Sequence, residues 1–146
     1  MYISSIDRFV DELVQTSILN TILQRMLISD SSITLQLLTF ITHLAARQSA
    51  IRHILLILDI THVLNAVTDI FPLQTDIMME VLKLVRVLAQ EEIVILYLVK
   101  SNVFNLFSTV FITTENTQEL LRAAVESLVQ MCIISGRSEL AFLLVV

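Results

Sequence analysis

The chain of 146 residues has one glycine, one proline, one cysteine and no tryptophan, and only 16% of it is charged. With Gly136 and Pro72 alone of their kinds, there is no material for phosphate-binding loops, Rossmann glycine patterns or a nucleophile elbow, or for hairpin turns of the Asn-Gly type. That excludes the common motif-borne enzyme classes and disfavours a β-rich fold. A single cysteine, Cys132, makes no internal disulfide, and its setting from Leu128 to Ile134 is apolar, so it is expected to be an inert core thiol. The nine lysines and arginines are scattered through a chain of net charge −5, whereas phosphate neutralisation needs a clustered basic stripe. DNA and RNA are therefore not expected partners. No apolar run approaches the roughly 18 residues of a membrane span. The charge-free stretch Ser101 to Thr114 is broken by asparagine, serine and threonine, and apolar Ile93 to Val99 lies between Glu92 and Lys100. Met1 to Leu13 carries Asp7, Arg8, Asp11 and Glu12 and does not read as a secretory signal, so an intracellular location, cytoplasmic or nuclear, is expected.

What the chain has in excess is apolar side chains: 55% of residues, with a mean hydropathy of +0.82. They recur at helical spacing. One stripe runs Ile33, Leu37, Ile41, Leu44, a second Met78, Leu82, Val85, Ala89, and a third Leu121, Val125, Leu128, Cys132. The three helices also resemble one another. Leu37 to Ala45 aligns with Val81 to Ala89 and then with Ala124 to Cys132, at offsets of 44 and 43 residues. A second series, Ser17-Ile18-Leu19-Asn20, His62-Val63-Leu64-Asn65 and Asn102-Val103-Phe104-Asn105, recurs at 45 and 40. Between the series lies a third helix, over Ala50 to Leu58 and Glu91 to Lys100, with a last copy expected from Ser138. A recurring period of this length marks stacked units, each needing its neighbours to bury its apolar face. Boundary residues agree: Asp30-Ser31-Ser32 offers an N-cap, Pro72 follows a helix ending at Phe71, and Asn116-Thr117-Gln118-Glu119 has capping-box spacing.

Three helices in a unit of about 40 to 47 residues resemble the armadillo repeat, with the two-helix HEAT repeat as its relative. Asn102 to Phe107 is similar, in its apolar positions, to the Gly-Ile-Pro-x-Leu-Val opening of the family's second helix. Leu37 to Ala45 is similar to the Ala-Leu-x-x-Leu-x-Asn-Leu-Ala frame of its third. The resemblance implies an all-α, right-handed α-solenoid of about three armadillo-like three-helix repeats. It covers residues 1–146 as one domain: a partial first repeat at 1–29, repeats at 30–71 and 72–113, and a partial last repeat at 114–146. An end in the apolar run Leu140 to Val146 is expected either to continue into a longer protein or to pair with something else. Ser17, His62 and Asn102 stand at the family's turn glycine, so a differently shaped turn, or Asn and His in the left-handed region, is expected there.

The resemblance also implies where binding occurs. Thr39, Lys83 and Glu126 occupy the family's groove tryptophan positions and His43, Val87 and Gln130 its groove asparagine positions, so a reader of nuclear-localisation peptides is not implied. The polar strip Thr39, His43, Lys83, Arg86, Arg122, Glu126 and Gln130 is the expected contact surface. It would take a peptide or helical segment of another protein, with no catalytic residue, no metal and no cofactor. Self-association through apolar end helices is the alternative, and membrane contact through the apolar C-terminus a weaker third. Other candidates have plainer readings. His43, His53 and His62 lack the spacing for two metal ligands on one helix. The carboxylate groups Asp7, Asp11, Glu12 and Glu91, Glu92 sit at helix beginnings, where negative charge offsets the helix dipole. Met26, Met78, Met79 and Met131 are expected chiefly to fill the core, the alternative being an adaptable binding surface.

Overall fold

A computed structural model describes residues 15–113 and 118–135. Every regular element among them is a helix, so the chain is all-α. The helices are α1 (residues 15–26), α2 (Ser31–Arg47), α3 (Ser49–Ile57), α4 (Ile60–Ile70), α5 (Thr75–Leu88), α6 (Glu92–Lys100), α7 (Val103–Thr113) and α8 (Gln118–Ser135).

The breaks between helices have identifiable causes. Asp30, extended, caps α2 by accepting the amide of Ile33 at 2.9 Å, which satisfies one of the helix's orphan donors. α3 and α4 meet at Asp59 (φ 58°), and α6 and α7 meet at Asn102 (φ 70°). Asp and Asn tolerate this left-handed geometry better than other residues with a Cβ, because their short polar side chains bond locally. One such residue turns the chain sharply: α3 and α4 are bent by 76°, and α6 and α7, to Ile112, by 72°. Ser101 reinforces its corner by donating to the Tyr97 carbonyl at 2.7 Å, and it lies 3.1 Å from the Thr61 hydroxyl, tying one corner to the other.

These corners correct two expectations. His62 is not a turn residue but an exposed residue inside α4, and Ser17 lies inside α1; of the three expected turn positions only Asn102 is left-handed. The second series also changes register. α3 and α6 begin 43 residues apart, at Ser49 and Glu92, and so do α4 and α7, at Ile60 and Val103. The offset of 40 matched letters, His-Val-Leu-Asn to Asn-Val-Phe-Asn, and ignored the hinge residue that starts each helix. The first series keeps its offsets: α2, α5 and α8 begin at Ser31, Thr75 and Gln118.

Helices so related pack together. α2 lies on α5 and α5 on α8, and these are the most extensive pairings; α4 lies on α7 and α3 on α6. α4 buries Ile60, Val63, Leu64 and Val67, and α7 buries Val103, Leu106, Phe107 and Val110, each the i, i+3, i+4, i+7 pattern of one helical face. Each large apolar side chain taken fully out of water contributes about 1.5–3 kcal/mol before entropy is counted.

The expected stripe of α5 is wholly buried, because that helix has neighbours on two sides and hides Ile77, Val81, Leu84 and Leu88 as well. On α8 the buried stripe is displaced by one residue throughout, and on α2 at every position except Ile41, which is buried as expected. α2 buries Thr34, Leu38, Ile41 and Ala45, leaving Ile33 half exposed. α8 buries Leu120, Ala124, Ser127 and Met131, leaving Val125 half exposed and Cys132 only partly covered. The contact stripes contain small and hydroxyl-bearing residues, whose short side chains let helix backbones approach. Their hydroxyls stay satisfied: Thr34 donates to the Met26 carbonyl (3.2 Å), Thr42 to Leu38 (2.8 Å) and Ser127 to Ala123 (2.8 Å). Among the described residues no single helix is long and apolar enough to cross a membrane. The bent pairs α3–α4 and α6–α7 meet that test only together.

Candidate interaction face

Side chains three or four apart share a helix face, so Lys83 and Arg86 project together from α5, and Arg122, Glu126 and Gln130 from the adjoining α8. Lys83, Arg86, Arg122 and Glu126 are exposed, and Gln130 is half-buried. The structure joins three of them across the helix pair. Arg86 pairs with Glu126 at 3.7 Å and donates from Nε to Gln130 Oε1 at 3.3 Å, while Gln130 Nε2 donates back to the Arg86 carbonyl at 3.2 Å. An exposed ion pair of this kind contributes only about 0–1 kcal/mol, so the cluster serves to hold the Arg86 guanidinium in place more than to hold the fold together. Among the described residues Lys83 and Arg122 make no ion pair.

The α2 part of the strip is not joined to the rest. Thr39 is half-buried, with its hydroxyl donating to the Leu35 carbonyl of its own helix at 2.9 Å, and His43 is exposed. No hydrogen bond among the described residues ties either one to α5 or α8.

Lys83 and Arg86 form the shared wall of two clefts. One, of 340 Å³, is lined by Met79, Glu80, Leu82, Lys83, Arg86 and Ala123. The other, of 250 Å³, is lined by Lys83, Arg86, Val87, Gln90 and Gln130. Glu80 Oε1 is buried and has no hydrogen-bond partner among the described residues. A buried acceptor left unpaired is costly to the fold. Sequence reasoning missed Glu80: its place three residues before Lys83 was visible, but the burial of one carboxylate oxygen was not. Met79 also lines the first cleft, whereas Met26, Met78 and Met131 are buried in the core as expected.

Elsewhere Glu91 does more than offset a dipole. As N-cap residue of α6 it reaches across to α3, 3.6 Å from the Arg52 guanidinium and 3.4 Å from His53 Nε2, while Arg52 also donates to the Ala45 carbonyl at 2.9 Å. Nearby an apolar hollow of 240 Å³ lies over Leu56, Ile57, Ile93, Val94 and Tyr97. A polar cleft of 520 Å³ follows the two left-handed corners, where Asp59, His62, Asn65, Asp69, Lys100 and Asn102 come together. Among the described residues no three of His, Cys, Asp and Glu are grouped as a metal site. On α8 Val125 and Val129 are each 49% exposed and Ile133 73%. Asp7, Asp11, Glu12, Asn116, Ser138 and the run from Leu140 to Val146 lie outside the described residues.

Comparison with known proteins finds no matching family model, no matching curated protein and no matching solved structure.

Proposed function

We propose that the chain forms an armadillo-like α-solenoid of about three units and works as a non-enzymatic, intracellular interaction module, taking a peptide or helix of another protein on the face of α5 and α8. The fold half of this reading is supported by three helices recurring at 43 or 44 residues, by a near-perpendicular corner at a left-handed residue in both of the units at 30–71 and 72–113, and by the packing of like-placed helices on one another. Expected unit boundaries at 30–71 and 72–113 fall between α1 and α2, α4 and α5, and α7 and α8.

The observation that carries the binding half is the polar cluster of Arg86, Glu126 and Gln130, flanked by Lys83, which makes no ion pair among the described residues, and by two clefts. Partner segments commonly gain affinity from apolar anchors in such clefts and register from the polar rim. Affinity capture with the wild-type chain and with the Lys83→Ala/Arg86→Ala double variant tests it. A partner held by the first and lost or reduced with the second supports the face; equal recovery moves the site elsewhere.

A second reading, self-association, is favoured by the half-exposed Val125, Val129 and the more exposed Ile133 on α8. Light scattering separates the two. A dimer that Val129→Asp converts to a monomer supports self-association, and a wild-type monomer at high concentration removes it.

A further inference from the structure

We infer that copies of this chain stack head to tail, the side of α8 away from α5 in one copy packing on the side of α2 away from α5 in the next. This rests on the reading of α8 as a self-association surface and names the surface that it meets. The starts of α2, α5 and α8 at Ser31, Thr75 and Gln118 put their residues in register at 44 and 43. α2 packs on α5 and buries Thr34, Leu38, Ile41 and Ala45, while α8 packs on α5 and buries Leu120, Ala124, Ser127 and Met131. α5, between them, buries the equivalents of both sets. Met78, Leu82, Val85 and Ala89 stand 44 residues after the first set, and Ile77, Val81, Leu84 and Leu88 stand 43 before the second. α5 therefore carries two apolar stripes one residue apart, one for each neighbour.

α2 and α8 have the same two stripes, and each leaves one of them open. On α2 it is Ile33, Leu37, Phe40 and Leu44, the equivalents of the α5 stripe that begins at Ile77, with Ile33 and Phe40 half exposed. On α8 it is Leu121, Val125, Leu128 and Cys132, the equivalents of the α5 stripe that begins at Met78, with Val125 half exposed. Neither stripe contains a charge, and each keeps the size of its buried counterpart at the last position. Cys132 is small where Ala45 and Ala89 are small, and Leu44 is large where Leu88 and Met131 are large. The stripe open on α8 is thus of the kind that, at α2–α5 and at α5–α8, packs on the kind open on α2. The neighbouring helices agree: Ile18 on α1 is exposed where Val63 on α4 is buried, and Phe111 on α7 is exposed where Thr68 on α4 is buried. A surface that fits a different surface of the same molecule makes a heterologous contact, which repeats from copy to copy where a two-fold dimer would close. Neither stripe includes Lys83, Arg86, Glu126 or Gln130, so this contact and a partner on the polar cluster use different side chains.

The test is sedimentation equilibrium on the full chain and on two variants that each charge one stripe, Phe40→Asp on α2 and Val125→Asp on α8. The wild-type mass is expected to pass twice the monomer value as concentration rises into the millimolar range. Each variant alone is expected to stay a monomer, because every copy has the same stripe blocked. Mixed, the two join once, through α8 of the Phe40→Asp chain and α2 of the Val125→Asp chain, to a mass of two chains that grows no further. Circular dichroism checks the helix content, and glutamine replaces aspartate in a variant that loses it. A wild-type monomer at millimolar concentration overturns the inference together with the self-association reading. A wild-type mass that stops at two chains, or a Phe40→Asp chain that associates as the wild type does, leaves self-association through α8 standing and overturns the head-to-tail contact. So does a mixture of the two variants that stays monomeric.

Discussion

Truncating Leu84 to alanine removes three carbon atoms from the middle of α5, the helix packed on both α2 and α8. The side chain is 0% exposed. At about 0.8 kcal/mol per buried methylene the transfer loss alone is about 2.4 kcal/mol. α5 has little room to relax between two neighbours, so a residual cavity brings the expected cost to about 3–5 kcal/mol. With a urea slope of about 2 kcal/mol/M for a chain of this size, the unfolding midpoint followed by circular dichroism falls by about 1.5–2.5 M. The control is Leu73→Ala in the α4–α5 connection, where the side chain is 85% exposed and the expected change is within about 0.5 kcal/mol. A loss below about 1 kcal/mol at Leu84, or an equal loss at Leu73, would refute the placement of α5 between its neighbours.

Asn102→Val forces a β-branched residue into the left-handed corner of α6 and α7, and is expected to cost about 1–2 kcal/mol in thermal unfolding, while Asn102→Gly is close to neutral. Equal effects of the two would remove the conformational argument. Asp30→Ala deletes the cap on Ile33 and should cost about 1 kcal/mol; no change in urea midpoint would mean that the cap is not formed. A double-mutant cycle over Arg86 and Glu126 should give a coupling of at most about 1 kcal/mol that fades in molar salt, and a larger, salt-independent value would contradict the exposed geometry.

The helices that build the face were legible because their offsets of 44 and 43 survive in the starts of α2, α5 and α8. Arg86 and Gln130, 44 apart, were visible as members of one strip for the same reason. The corners were less legible: Asp59 carries no signal distinguishing it from other acidic residues until its positive φ is known, so the second series slid by three residues. On α2 and α8 the contact stripe runs through Thr34, Ala45, Ala124 and Ser127, and a search for large apolar residues passes over small ones. Hydrophobicity alone therefore placed the stripe on Ile33 and Val125, which water reaches. Glu91 shows the same limit for charge: its position at a helix start was readable, its reach to Arg52 and His53 on another helix was not.

Site-specific photo-crosslinking in cells, with the reactive side chain placed at Lys83 in one variant and at Val129 in another, separates a partner held on the α5–α8 face from self-association. Position 83, on the α5–α8 face, is expected to capture a discrete heterologous protein, and position 129 is not. Capture from position 129 alone, or crosslinks only between copies of this chain, would contradict a partner on that face.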